Sequence, residues 1–371
     1  MAIALTRSLI ACNGRIDDVH AAQSYAEEYQ PCRGYGGTAY KILSGIRRLG
    51  VDSESIRTIG TKLIPTGSFG NGGAMRIAPL GLVYRHAPPK VLREAVAAAL
   101  RCTHVHPVAV DGAFVIALAV GYLALRRPAA AAAAATNPSA CGPAAAVPAA
   151  GSATTDNANG SADGGSNSGA AVATAITDEL AQVATPLLLL EYLLSHSPLL
   201  ETDGMVQKLQ AVKAFVVQVR HCAWRHLPSV PCFLLLQAAP PCCNTFSSQA
   251  RQFKGPNESW AEYFSSPGWA AELQLQAEVS EPFQIRADDA AAVALAALCC
   301  HWDRPDDAVV AAVHYGGDTD TVAAITGAMA GALYGTQWLP ARWYDNLENG
   351  TSGRDEVLQL AVELARFDTC T

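Results

Sequence analysis

The run His314-Tyr315-Gly316-Gly317-Asp318-Thr319-Asp320-Thr321-Val322 sets two carboxylates and two hydroxyls side by side, immediately ahead of an apolar, small-residue helical pattern. Asp318, Asp320 and the Thr321 hydroxyl are hard oxygen donors of the kind that suit Mg²⁺ or Mn²⁺. The same residues also suit a plain helix start, because Asp and Thr cap N-termini and acidic groups there interact well with the dipole. A second run, Gly67-Ser68-Phe69-Gly70-Asn71-Gly72-Gly73-Ala74-Met75-Arg76, places four glycines within seven residues. Such a backbone turns tightly enough to aim several N–H groups at one anion. No Gly-Lys-Ser/Thr follows, so it is not a Walker A loop, and its glycines lack the spacing of a dinucleotide fingerprint. A simple glycine-rich turn into a helix is the competing reading. Ser68 and Asn71 add hydrogen-bonding groups, and Phe69 adds a flat apolar face able to stack on a base.

Around these runs the chain is patterned for helices. Asp17–Tyr29 carries an apolar stripe with Asp17 or Asp18 as cap, and Pro88–Cys102 repeats the theme behind a proline. Val110–Leu125 is apolar nearly all round, as in a central buried helix, and is too short to span a bilayer. Ile176–Leu194 reads as a leucine-rich helix interrupted by Pro186. After Asp320, Val322, Ile325, Met329 and Leu333 fall at helical spacing. Gly327, Ala328, Gly331 and Ala332 predict very close helix contact, a deeply buried helix, and an acidic pair at the bottom of a pocket. Alternating strand patterns are scarce, so the expected class is all-α, a single domain over 1–371. From 128 to 173 the composition collapses to Ala, Gly, Ser, Asn and Pro, which predicts a disordered insertion within that domain. Residues 196–287 carry no functional signature.

Half of the 371 residues are hydrophobic, enough for a substantial core, and the net charge is −7. No basic cluster stands out, so neither direct nucleic-acid binding nor attachment to an anionic membrane is expected. The eleven cysteines include no Cys-x-x-Cys. His221, Cys222, His226 and Cys232 match no standard zinc spacing, and free, mostly buried thiols in a reducing compartment are expected. His196, His221, His226 and His301 read as structural or surface groups. Met1–Arg15 has the Arg- and Ser-containing, acid-free composition of a short transit peptide. The expected location is intracellular, in cytoplasm or nucleus, with mitochondrion or plastid left open.

Taken together, the Gly67–Arg76 and His314–Val322 runs resemble the ADP-ribosylglycohydrolase family, closest to its ADP-ribosylhydrolase 3 type. Arg33-Gly34-Tyr35-Gly36-Gly37, Thr103-His104-Val105-His106-Pro107 through Asp111-Gly112-Ala113, and Gly327–Gly335 match in the same order. In outline the likeness covers residues 1–127 and 287–368. It implies a compact multi-helix orthogonal bundle, with Met1–Leu9 as part of a core helix. It also implies a Mg²⁺-dependent hydrolase, with two ions in the full family site, that cleaves the O-glycosidic bond of ADP-ribosyl-serine, poly-ADP-ribose or O-acetyl-ADP-ribose. Its partners would be ADP-ribose or an ADP-ribosylated protein, and its state a monomer. Asp318, Asp320 and Thr321 would hold metal, with Asp320 bridging. Gly67, Ser68, Phe69, Gly70, Asn71, Gly72 and His104 would hold ligand, with His106 an adjacent residue turned elsewhere. Family members carry a Thr-Asp-Asp-Thr run ahead of the stretch that matches Met1–Leu9, and it supplies the other metal ligands and the acidic catalytic residues. This chain starts after that point, so the expectation is an N-terminally truncated member, with ADP-ribose recognition ahead of turnover. A catalytically inactive ADP-ribose-binding protein is the alternative.

Overall fold

The computed structural model describes residues 1–49, 53–128, 183–224 and 265–367. The expected disordered insertion falls outside these residues apart from Pro128. Cys232, Cys242, Cys243 and His226 also lie outside them, as do the side chains of His221 and Cys222.

Helices dominate, as the sequence pattern predicts. An N-terminal layer contains α1 (Ala2–Ala11), α2 (Asp18–Glu27), α3 (Gly37–Leu49) and α4 (Ser53–Leu63). Next come α5 (Ala78–Val83), α6 (Pro89–Leu100) and α7 (Pro107–Ala124). Two-residue strands, β1 (Arg127–Pro128) and β2 (Val183–Ala184), pair in parallel. Beyond them lie α8 (Pro186–Ser195), α9 (Asp203–Trp224), α10 (Pro267–Val279), α11 (Ala287–Cys300), α12 (Pro305–His314) and α13 (Thr319–Tyr334). The short α14 (Ala341–Tyr344) and α15 (Arg354–Leu364) complete the described chain, and α15 packs back on α1.

The core forms around α7, whose residues Val108–Leu123 are all buried. Its length and hydropathy would suffice to cross a membrane, but 89% of that window is buried inside the protein. Pro107 opens it, and His106 caps it by accepting the Val108 N–H at Nδ1, 3.2 Å away. Fully buried Phe114, Ile116 and Leu123 each contribute about 1.5–3 kcal/mol by leaving water. Asp111, with no exposed surface, is the polar exception on this helix. It accepts from the N–H groups of Glu201 (3.0 Å) and Thr202 (2.8 Å) and from the Thr202 hydroxyl (2.7 Å), with Arg93 2.9 Å away. A buried carboxylate needs such partners, and these lock α6 and the 200–202 turn to α7. Asp111 is thus a structural residue of the core.

Helices α5, α6, α11 and α13 surround α7, and α11 also touches α9, α10, α12 and α13. The Asp17 carboxylate caps α2 through the N–H groups of Val19 (3.0 Å) and His20 (2.8 Å), one of the two expected caps. Two sequence expectations need correction. Pro186 opens α8 instead of interrupting a helix, with the Thr185 hydroxyl capping the Leu188 N–H at 3.2 Å, since proline is tolerated in a first turn. In α13, Val322, Ile325, Met329 and Leu333 are buried, but the small face is not tightly packed. A side chain at Gly331 would meet nothing within 4 Å, and one at Gly327 only Val309, at 3.8 Å. Burying the large apolar stripe decides how α13 docks, and small residues merely permit close approach.

The described cysteines, Cys12, Cys32, Cys102, Cys299 and Cys300, are free thiols, with Cys102 and Cys299 buried. His301 Nε2 bonds the Glu272 carboxylate at 3.0 Å, and His196 Nδ1 the Tyr192 carbonyl at 2.8 Å, both structural uses.

Candidate active site

The glycine-rich run links α4 to a single 3-10 turn at Ala74–Arg76. The segment 283–286 just ahead of α11 runs beside it and pairs antiparallel at one point, Gly70 with Arg286. The Asn71 N–H donates to the Ile285 carbonyl (2.8 Å), and the Ala287 N–H donates to that of Phe69 (3.0 Å). Within the loop the Ser68 hydroxyl accepts the Gly70 N–H at 3.2 Å. Among the described residues, the N–H groups of Ser68, Phe69 and Gly72 donate to no protein acceptor. A bent backbone with successive unpaired N–H groups is an arrangement able to receive an anion.

Asn71 joins the two runs singled out in the sequence. Its side-chain amide donates to the Gln284 carbonyl (2.6 Å) and to Asp318 Oδ2 (2.5 Å). Fully buried Gln284 completes the junction by accepting the Asp318 N–H at 3.0 Å. Gly317 makes room for it. Its φ of +75° is one that side chains rarely adopt, and a Cβ there would lie 2.6 Å from the Pro282 carbonyl oxygen. Residues 247 positions apart are thus held in direct contact.

The Asp318 carboxylate does not cap α13, although Asp318 occupies the N-cap position. It faces Asn71 instead, so simple capping does not explain this residue. Burial pushes its carboxyl above the ordinary range, and the neighbouring Asp320 carboxyl pushes it further, against the pull of Asn71 and Thr321. Asp320 Oδ1 accepts the Thr321 N–H at 3.0 Å. The buried Thr321 hydroxyl, which bonds the Asp318 carboxylate, also lies 4.0 Å from Met75 Sδ. Among the described residues no cationic side chain forms an ion pair with either aspartate. Two carboxylates and a hydroxyl without a cation are a donor set that fits Mg²⁺ or Mn²⁺. They make up about half of an octahedral shell, and no cluster of three His, Cys, Asp or Glu forms among the described residues. Asp318 is half-buried and Asp320 exposed, while cavities of about 420 and 660 Å³ lie elsewhere, against α15 and against α6.

His104 sits under the glycine loop. A side chain at Gly72 would come within 3.2 Å of its ring. Burial, with the nearby Arg76 guanidinium, pushes the imidazole down to about 3, so the ring is neutral at ordinary pH. Its Nδ1 is buried without a hydrogen-bond partner. His106 caps α7 through Nδ1 from a non-helical segment, and it stays beside the loop. The Phe69 ring, 45% exposed, meets His106 edge-to-face at 6.1 Å and Arg286 at 5.8 Å.

Gln284, Arg286 and Asp288 belong to this surroundings and were not legible in sequence. Arg286 holds Asp288 by two bonds of 3.1 Å, and Lys208 Nζ reaches the same carboxylate at 2.9 Å and also contacts Asp289. Burial opposes ionisation of Asp288, but the Arg286 and Lys208 bonds outweigh it and hold the carboxyl below its usual range. The Asp288-Asp289 doublet ahead of an apolar helix was the one available signal. Nothing local links it to residue 69.

The helical bundle thus brings the glycine loop and the acidic N-terminus of α13 together at one point. The model of the ADP-ribosylglycohydrolase family matches residues 1–369, and the chain belongs to that family. It is similar to ADP-ribosylhydrolase ARH3 of Homo sapiens, at 35% identity over 34% of each chain. The mouse protein of the same name is 34% identical, over 34% of this chain and 33% of its own. The Gallus gallus protein is 31% identical over 34% of each. The chain therefore spans about a third of the length of the curated relatives it matches.

Proposed function

We propose that the chain acts on ADP-ribose conjugates, hydrolysing an O-glycosidic bond to release ADP-ribose in a Mg²⁺-dependent reaction. The observation that supports this reading best is the 2.5 Å bond from Asn71 to Asp318, between the glycine loop and the acidic start of α13. In this assignment Ser68, Phe69 and Gly72 hold the pyrophosphate through backbone N–H groups, and the Phe69 ring stacks on adenine. Neutral His104 hydrogen-bonds a ligand oxygen through one ring nitrogen. Asp318, Asp320 and Thr321 would hold Mg²⁺, which when bound orients the ribose hydroxyls and polarises the reacting centre. In the reaction a water oxygen bonds to the anomeric carbon as the bond to the leaving oxygen breaks, and a proton passes to that oxygen.

A second reading, ADP-ribose binding without turnover, has its own support. Both site carboxylates are committed as metal donors, and no third His, Cys, Asp or Glu joins them among the described residues to serve as base.

The test has two stages. ADP-ribose is titrated calorimetrically with and without Mg²⁺, and the protein is then incubated with a serine-ADP-ribosylated peptide. Mg²⁺-strengthened binding followed by ADP-ribose release supports the hydrolase. Binding without release selects the second reading, and no binding in either condition sinks both.

A further inference from the structure

We infer that Arg286 is a specificity residue at the rim of this site, gripping the phosphates of the ligand; this rests on the ADP-ribose reading above. The glycine loop offers N–H donors but no charge, and Asp318 and Asp320 beside it repel a pyrophosphate. The cationic side chains touching the loop among the described residues are Arg76 and Arg286. Arg76 is buried inside the protein. It is 4% exposed, donates to the Gly72 carbonyl (3.2 Å) and the Thr103 hydroxyl (2.6 Å), and lies over the Tyr25 ring.

Arg286 faces outward. Its side chain is 40% exposed and its guanidinium lies over the Phe69 ring. Its backbone pairs with Gly70, at the centre of the loop whose N–H groups stand open. The bonds to Asp288 use Nε and Nη2, leaving the Nη1 hydrogens for a ligand. Asp288 and Asp289 beneath it are 1% exposed each. The ion cluster of Arg286, Lys208, Asp288 and Asp289 has no net charge, but its positive end is the one at the surface. A guanidinium fixed by a buried carboxylate and an aromatic face loses little freedom on binding phosphate, and it presents planar donors that a lysine cannot match. The sequence hides this residue, since Arg286 sits beside apolar, exposed Phe283 and Ile285 in a stretch without a motif.

The decisive experiment compares wild type, Arg286→Gln and Arg286→Lys for binding of ADP-ribose by calorimetry and of adenosine by ligand-observed NMR. The expected result for Arg286→Gln is a loss of about tenfold in ADP-ribose affinity with adenosine binding unchanged. Arg286→Lys, which keeps a cation beside Asp288, should recover part of the loss. A purely structural role would weaken both ligands in parallel, and that outcome overturns the assignment, as does unchanged ADP-ribose affinity in Arg286→Gln. Failure of wild type to bind ADP-ribose would overturn the functional reading itself and this inference with it.

Discussion

Two acidic pairs stand at the N-termini of two neighbouring helices, and the protein treats them in opposite ways. Asp288 and Asp289, opening α11, are buried and bound to Lys208 and Arg286. Asp318 and Asp320, opening α13, have an amide, a backbone N–H and each other, but no cationic side chain among the described residues. The first pair is already neutralised by the protein and serves its structure. The second has no such cation among the described residues, with Asp318 half-buried and Asp320 exposed. A fold can hold like charges together in this way when an external cation is to neutralise them. The type of residue is the same in both places, and the neighbours decide the role.

The comparison can be broken most forcefully at the structural pair. Lys208→Met leaves Asp289 buried without its cation, and a loss of about 3–5 kcal/mol in urea-denaturation stability is expected. A loss below about 1 kcal/mol would show that this pair tolerates solvent or protonation better than its burial implies. At the other pair Asp318→Asn should cut ADP-ribose release by about 10–100-fold while leaving metal-free stability undiminished. Retained release with full Mg²⁺ dependence would remove Asp318 from the metal site.

The smallest effect, and the sharpest contrast, lies in the response to acid. The Asp288 carboxyl is held below its ordinary 3.8 in the fold. Its contribution to stability is therefore complete above that value and is lost as pH falls through the lowered one. Asp318 is held above 3.8, so its contribution is complete below 3.8 and is lost as pH rises through the raised value. In metal-free urea titrations between about pH 3 and about pH 6, Asp288→Asn should lose ground to wild type as pH rises, and Asp318→Asn should gain. Parallel curves for the two variants would erase the distinction drawn between the pairs.

Much of this site was legible before any coordinates. Hard oxygen donors at 318, 320 and 321 and the glycines of 67–73 are local patterns, and the chemistry of each follows from residue type and spacing. The apolar continuity of 108–123 likewise marks a central helix, because no face of it can be left in water. The small face of α13 misled, since glycine and alanine allow a close contact without requiring one. Segment 283–287 was invisible for a related reason. In it the apolar Phe283 and Ile285 are exposed and the polar Gln284 is buried, so hydropathy points the wrong way at these three.

By itself, then, the sequence determined the helical class and the chemical character of the two motifs, because backbone propensity, hydrophobic periodicity and donor type are properties of neighbouring residues. Only the tertiary structure decided that Asn71 touches Asp318, that Gln284 seals their junction, and that one aspartate pair is given cations while the other is not. Those outcomes depend on which side chains are brought within a few ångströms across long stretches of chain. At that range burial and charge act on groups that no local pattern connects.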